Sequence, residues 1–303
     1  MNFLRRLHAA AASGRRTVIG IPYLWLLLTF LLPFLIVARI SVSDSEGEDP
    51  LGSIVSYADG LLSLKIRLAN YLFIFNDELY LYTYASSIKY ALITTVLCLL
   101  AGYPFAYFIA RARTAARPAL LMLVMLPFWT SFLLRIYAWK GILDNQGIVN
   151  HLLLRLGWID APLPLMHTEF SLLIGMVYAY LPFMILPLYA NLAKQDLRLI
   201  EAATDLGATP WQAFWRVTVP LSRSGIIAGA MLVFIPAIGE YVIPELLGGP
   251  RTLMIGHVLW DEFFTNNDWP MASAVTVVVV LLILVPMTMF NQYQAAQAQR
   301  SKA

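Results

Sequence analysis

The chain has 303 residues, of which 59% are apolar and only 13% charged, with a mean hydropathy of +0.69; ordinary soluble domains carry about 25% charged residues. That balance argues against a water-soluble globule. The richness in Leu, Ile, Val and aromatics excludes a disordered chain, and a lone cysteine, Cys98, excludes a disulfide scaffold. The net charge of +3 acquires meaning only once its components are placed along the chain.

A bilayer core of about 30 Å takes about 20 apolar residues in helix, because each backbone polar group must find its partner inside the segment. The first such run is 17–38, preceded by Arg5, Arg6, Arg15 and Arg16 and followed by a weak small-x-small sequence, Ser41-Val42-Ser43. Its 22 apolar residues are too long for a signal peptide, so a retained helix over 17–40 is expected after a tail at 1–16. A polar segment at 41–83 follows, with Asp44, Glu46, Glu48, Asp49, Asp59, Asp77 and Glu78 against Lys65 and Arg67. Five further spans are predicted over 84–292. They lie at 90–110, at 118–134 running on through Arg135 to Trp139, at 170–193, at 224–239 running on through Glu240 to Pro244, and at 271–290, before a tail at 293–303.

Six spans place both termini on one side. Residues 1–17, 111–117, 194–223 and 291–303 then hold 13 Lys/Arg against Asp196, Glu201 and Asp205, whereas the opposite side holds 8 Lys/Arg and 15 Asp/Glu. The positive-inside rule makes the first set cytoplasmic. The inner face is basic by ten charges and the outer face acidic by seven. Inside, the only substantial connection is 194–223, which makes it the expected docking place for a partner.

Within that loop Leu197, Ile200, Ala203 and Leu206 share one helical face, and Gly207 is a natural stop. A second helix starts at once: Thr209 can cap it, Pro210 suits the first helical position, and Gln212 completes a capping box. Trp211, Phe214 and Trp215 give it a large aromatic surface, and Val217-x-Val219-Pro220 leads into the fifth span. Small Ala202 and Ala203 permit close approach of a partner surface, and Glu201 can pair with basic groups there.

Glu201-Ala202-Ala203, three residues, Gly207, nine residues and Val217-x-Val219-Pro220 resemble the EAA loop of permease subunits of bacterial ATP-binding-cassette importers, with two valines where that family usually has Ile and Leu. The resemblance implies an all-α membrane protein with six transmembrane helices, the MetI-like type-1 importer permease fold. It also implies that Glu201, Ala202, Ala203 and Gly207 couple the chain to an ATPase. No Gly-x-x-x-x-Gly-Lys-Ser/Thr stretch occurs in this chain, so the energy source is borrowed and no cofactor of its own is expected. The implied partners are an ATPase dimer and, since each ATPase needs a docking loop and this chain has one, a second homologous permease. No nucleic-acid partner is expected.

A closer resemblance, to permeases of spermidine/putrescine importers and particularly the putrescine branch, rests on 235–250 (Ile235-Pro-Ala-Ile-Gly-Glu-Tyr-Val onward), Met254-Ile-Gly, Asp268-Trp-Pro270 and 126–139. It implies a polyamine substrate and a periplasmic polyamine-binding protein. The acidic outer face would concentrate a diamine, although positive-inside sorting alone also leaves acids outside. Pro236, Glu240 and Pro244 recur every fourth residue and are predicted to share one face of a kinked fifth helix. An acid facing lipid costs about 3 kcal/mol, so Glu240 either attracts a substrate ammonium or pairs with Arg135 or Lys89. Tyr178, Tyr180, Trp129 and Tyr241 are candidates for cation–π contact along the same pathway, against the ordinary alternative of packing or interface anchoring. Asp261 and Glu262 either meet a binding protein or lie in a solvated loop.

Other chemistry is not signalled. His8, His151, His167 and His257 lack metal-ligand spacing, and Cys98 reads as inert packing. A secondary transporter would show inverted repeats and midplane charges, and an intramembrane enzyme a nucleophile–base pair.

Overall fold

The computed structural model describes residues 18–43, 55–58, 61–64 and 68–300. The tail at 1–16 with its four arginines and His8, the acids Asp44, Glu46, Glu48, Asp49 and Asp59, Lys65 and Arg67, and 301–303 lie outside the described residues. Two compact units are formed, one from residues up to 76 with 261–280 and one from 77–260 with 281 onward.

In the first unit, α1 (Val18–Ile40) is apolar and exposed along its length, a surface suited to lipid and not to water. Pro33 cannot donate to the carbonyl four residues back, and the ladder widens just before it into a π-turn at Leu27–Leu31. Beyond the helix, Ser41 shares a 2.7 Å hydrogen bond with the Tyr71 hydroxyl of α2 (Ala69–Asn76), and the Asn70 amide donates to the Ser41 carbonyl at 3.4 Å. Strands β1 (Val55–Ala58) and β2 (Leu61–Leu64) pair antiparallel with Ala58 opposite Leu61. Asp59-Gly60 between them is a residue pair favoured in two-residue hairpin loops. This hairpin is an addition to the all-helical reading of the spans. Asp268 caps α13 (Trp269–Arg300) by accepting the Met271 N–H at 2.9 Å, and Phe263 stacks on Trp269 at 5.6 Å.

The second unit is organised by α3 (Glu78–Arg111), α7 (Glu169–Leu192) and α10 (Arg223–Ile238), which pack on one another. α3 starts at Asp77, whose carboxylate accepts the Leu79 N–H at 2.7 Å, so the helix begins well before the predicted span at 90. Small and polar side chains fill its buried face. The Thr94 hydroxyl donates to Met176 Sδ at 3.6 Å, and the buried Cys98 thiol faces the Val177 carbonyl at 3.7 Å, as expected of packing. In α10, Gly225 and Gly229 lie one turn apart against α7. A Cβ at Gly225 would meet Asn191 Cβ at 2.7 Å, and one at Gly229 would meet Met184 Sδ at 2.7 Å and the Met184 carbonyl at 3.1 Å. Without hydrophobic drive between helices in lipid, such small residues let backbones approach and gain dispersion contact.

Two sequence expectations are corrected. The third span does not run on to Trp139: α4 (Arg117–Met125) tightens into a 3₁₀ turn at Leu126–Trp129, Thr130 is extended, and α5 (Phe132–Leu143) with α6 (Ile148–Arg155) leaves at 86° to the first part. Pro127 supplies no N–H, and the Thr130 hydroxyl turns back to the Pro127 carbonyl at 2.7 Å, which ends the helix. Nor does the fifth helix carry Pro236, Glu240 and Pro244 on one face. α10 stops at Ile238, and α11 (Val242–Leu247) is a separate helix; Pro236 is exposed and Pro244 buried. Glu240 is drawn to the N–H groups of Val242 and Ile243 that open α11 and have no helical acceptor, and that local satisfaction competes with helix continuation. α12 (Ile255–Trp260) follows, its first N–H held by Ser87 Oγ at 2.7 Å. Among the described residues four helices are long and apolar enough to cross a membrane, and six if each bent pair is one span.

Candidate functional site

The 194–223 loop folds as its sequence predicts. α8 (Arg198–Asp205) ends at Gly207, whose φ of +86° only glycine adopts without strain. The Ala208 N–H bonds the Ala203 carbonyl at 3.0 Å and the Gly207 N–H the Thr204 carbonyl at 2.9 Å, closing the helix end. α9 (Pro210–Leu221) opens on a complete capping box: Thr209 Oγ1 accepts the Gln212 N–H at 3.3 Å and Gln212 Oε1 accepts the Thr209 N–H at 3.0 Å. Of the expected apolar face, Leu197 and Leu206 are exposed, at 50% and 90%, and Ile200 and Ala203 are half-buried. Glu201, Ala202 and Gly207 are also exposed, and Ala203 and Gly207 border a hollow of about 340 Å³ between the two helices. Trp211 and Trp215 stand out at 69% and 51% exposure. An apolar face of this kind, rimmed by charge, suits a protein partner. Gly207→Ala is expected to lower the loop's local stability by about 1 kcal/mol, because alanine pays the left-handed strain; faster hydrogen exchange over 198–213 at unchanged exchange elsewhere is the measurement.

A second locus lies where three helices are interrupted. The break after Trp129, Pro182 within α7 and the break after Ile238 all leave carbonyls without helical donors, which a membrane tolerates only where protein or a water-lined path supplies partners. Here the Tyr180 hydroxyl donates to Glu240 Oε2, and Glu240 Oε1 accepts the N–H groups of Val242 at 3.1 Å and Ile243 at 3.4 Å. Phe183 contacts Tyr180 and meets Phe128 edge-on at 5.4 Å. Phe128 and Phe132 in turn flank the Arg135 guanidinium at 5.8 and 5.6 Å. Arg135 is only 9% exposed, and its Nε and Nη1 have no hydrogen-bond partner. Neither cation weighed as a partner for Glu240 is engaged with it: Arg135 forms no ion pair among the described residues, and Lys89 pairs with Glu169 at 3.2 Å.

Of the five pathway candidates, Glu240 and Tyr180 are thus brought together. Tyr241 stacks on Trp260 at 4.5 Å, Tyr178 meets Trp139 edge-on at 5.5 Å, and Trp129 is 74% exposed at the end of the 3₁₀ turn. Phe183 was not anticipated; its place three residues after Tyr180 on α7 was the available signal. Asp261 and Glu262 lie half-exposed on a π-turn, Glu262 held by Asn266 at 2.9 Å. Glu245 pairs with His257 at 2.8 Å beside His167, yet among the described residues no three His, Cys, Asp or Glu side chains are grouped to hold a metal ion.

Residues 98–300 match the family described as binding-protein-dependent transport system inner membrane component. The chain belongs to this family. The permease is 40% identical over 281 residues to the spermidine/putrescine transport system permease protein PotB of Haemophilus influenzae, covering 93% of each chain. Among solved structures it resembles a chain of a bacterial alginate ABC transporter in complex with an alginate-bound periplasmic protein, with a TM-score of 0.65 at 19% identity over 94% of this chain and 95% of that one. A chain of the MetNI methionine ABC transporter gives a TM-score of 0.53 at 14% identity, over 71% and 94%. These likenesses establish the importer permease fold. The permease is therefore a transport subunit of the inner membrane and not an enzyme; in this family ATP is hydrolysed by a separate subunit, and ATPase and binding-protein partners complete the importer.

Proposed function

We propose that the permease moves polyamines, putrescine and spermidine, from periplasm to cytoplasm by alternating access. The observation that carries this reading is the 40% identity to a spermidine/putrescine permease across 93% of both chains. The termini and the 194–223 loop lie on the cytoplasmic side, where the basic residues gather, and the acidic face looks outward to collect cations. Glu201, Ala202, Ala203 and Gly207 seat the loop on one ATPase of a dimer; a second, homologous permease offers the other loop. A periplasmic polyamine-binding protein delivers substrate.

Along the pathway Glu240 is the ammonium-attracting carboxylate. Three protein donors fix its two oxygens, and a carboxylate offers about four lone-pair sites, so it reaches a passing ammonium without moving. The cation–π faces of Tyr180, Tyr178, Trp129 and Tyr241 supply further weak holds. Reconstitution with the ATPase, second permease and binding protein tests the reading: ATP-dependent, saturable uptake of putrescine or spermidine is expected from a panel of amines. Uptake of none of them by an assembly that hydrolyses ATP would refute the substrate while leaving the importer intact.

A further inference from the structure

We propose that Phe214, held between Tyr103 and Tyr107, makes a joint that carries movement of the 194–223 loop into α3, a helix the loop does not continue into. The inference rests on the loop's role as the ATPase seat. Covalently, α9 leads only into α10, and it does so through a 64° bend at Ser222. A hinge of that kind absorbs displacement unless the segment before it is braced against something else.

The brace is aromatic. Of the three large rings on α9, Trp211 and Trp215 point outward, and Phe214 turns inward to meet Tyr103 edge-on at 5.6 Å and Tyr107 edge-on at 5.7 Å, each at 87°. Tyr103 and Tyr107 are one turn apart on α3, so the phenyl ring sits against two successive teeth of that helix. The Arg111 guanidinium closes over Tyr107 at 5.3 Å from the side away from Tyr103 in sequence. Tyr103 also grips the hinge itself: its hydroxyl shares a 2.9 Å hydrogen bond with Ser222, a fully buried residue. One side chain of α3 therefore touches α9 on one side of the bend and the bend itself.

The backbone beneath Phe214 is shaped for this. Phe214–Thr218 forms a π-turn two residues before Pro220, as Leu27–Leu31 does before Pro33. Proline's missing N–H lets the turn widen from Phe214 onward. Trp211 stacks on Phe214 at 6.0 Å and Trp215 meets it at 5.5 Å, so a push on the exposed tryptophans is passed to the inward ring.

In the assembly reconstituted with its ATPase, second permease and binding protein, Phe214→Ala is expected to retain the ATPase and its hydrolysis rate within about twofold, while substrate moved per ATP falls at least tenfold. Phe214→Leu, which refills most of the volume, restores at least a third of that ratio and stands in should the alanine variant fail to accumulate. Tyr103→Phe, which keeps the ring and removes the hinge bond, gives an intermediate ratio. A complementary measurement joins the two elements with a short thiol crosslinker between Tyr107→Cys and Phe214→Cys, in a chain whose Cys98 is alanine. If the joint carries the movement, the double-cysteine variant moves as little substrate per ATP as Phe214→Ala before crosslinking, and the crosslink restores at least a third of the parent ratio. Wild-type transport per ATP in Phe214→Ala, a parallel loss of hydrolysis and uptake, or crosslinking that leaves the impaired ratio unchanged each overturns the joint. Failure of the underlying docking reading is seen separately, as ATPase that co-purifies undiminished with a Glu201→Arg, Ala203→Trp loop.

Discussion

Replacing Gly229 by leucine is expected to remove most of the permease from the membrane. At this position a Cβ alone would lie 2.7 Å from Met184 Sδ and 3.1 Å from the Met184 carbonyl, and Met184 is itself fully buried. The sulfur is the flexible end of a side chain and can swing aside, whereas the carbonyl belongs to α7 and can retreat only if the helices part. At Gly225, one turn earlier, a Cβ would lie 3.1 Å from the Pro187 carbonyl of the same α7, so parting at one glycine loosens the other. Overpacking of this kind costs about 1–3 kcal/mol or more, and α7–α10 is one of the three contacts that organise the unit. A fall in melting temperature on the order of 10 °C and a several-fold loss of monodisperse protein in detergent are expected, with Gly229→Ala showing a smaller shift. A leucine variant that melts like the parent would show that the helices are not held by this close approach.

The second large effect is expected at Glu240. Charge-assisted hydrogen bonds contribute about 1.5–3 kcal/mol, so losing one to a substrate ammonium weakens apparent affinity by about tenfold or more. Glu240→Gln removes the charge but keeps an amide oxygen for the N–H groups of Val242 and Ile243. Tyr180→Phe does the reverse, leaving the charge and taking away one donor. For a carboxylate that serves the substrate, Glu240→Gln raises the half-saturating polyamine concentration at least tenfold and Tyr180→Phe changes it by less than about twofold. For one that only caps α11, the two variants lower stability similarly and neither shifts affinity. Uptake normalised to the amount of protein in the membrane, beside thermal melts of both variants, separates these outcomes.

Local signals in the chain are legible because the forces behind them are local. Thr209, Pro210 and Gln212 announce a capped helix, and the structure forms both halves of the box; Gly207 announces a left-handed stop and takes φ +86°. Cys98 in an apolar run reads as packing and is buried. The Asp59-Gly60 pair of the sequence is an equally local signal for the hairpin that joins Ala58 to Leu61, but it is embedded in a segment legible chiefly by its charge. Averaged hydropathy passes smoothly over Thr130 and Gly239, so the third and fifth spans looked longer than they are. A helix ends at such points when side chains and neighbouring helices offer its polar groups better partners, and the Thr130 hydroxyl and the Glu240 carboxylate are those partners.

By itself the sequence determined that this is a membrane chain, where its apolar runs lie, which loop folds as two short capped helices and to which family it is similar. Hydrophobicity, capping and glycine stops act within a few residues, and each is written in order along the chain. The tertiary structure decided where spans break, which group satisfies Glu240 and which helix receives Phe214. Tyr180 and Glu240 are 60 residues apart and Tyr103 and Ser222 are 119 apart, so their meeting depends on how closely α3, α7 and α10 approach. That distance is set by glycines facing backbone across helices, a pairing that no local pattern along the chain encodes.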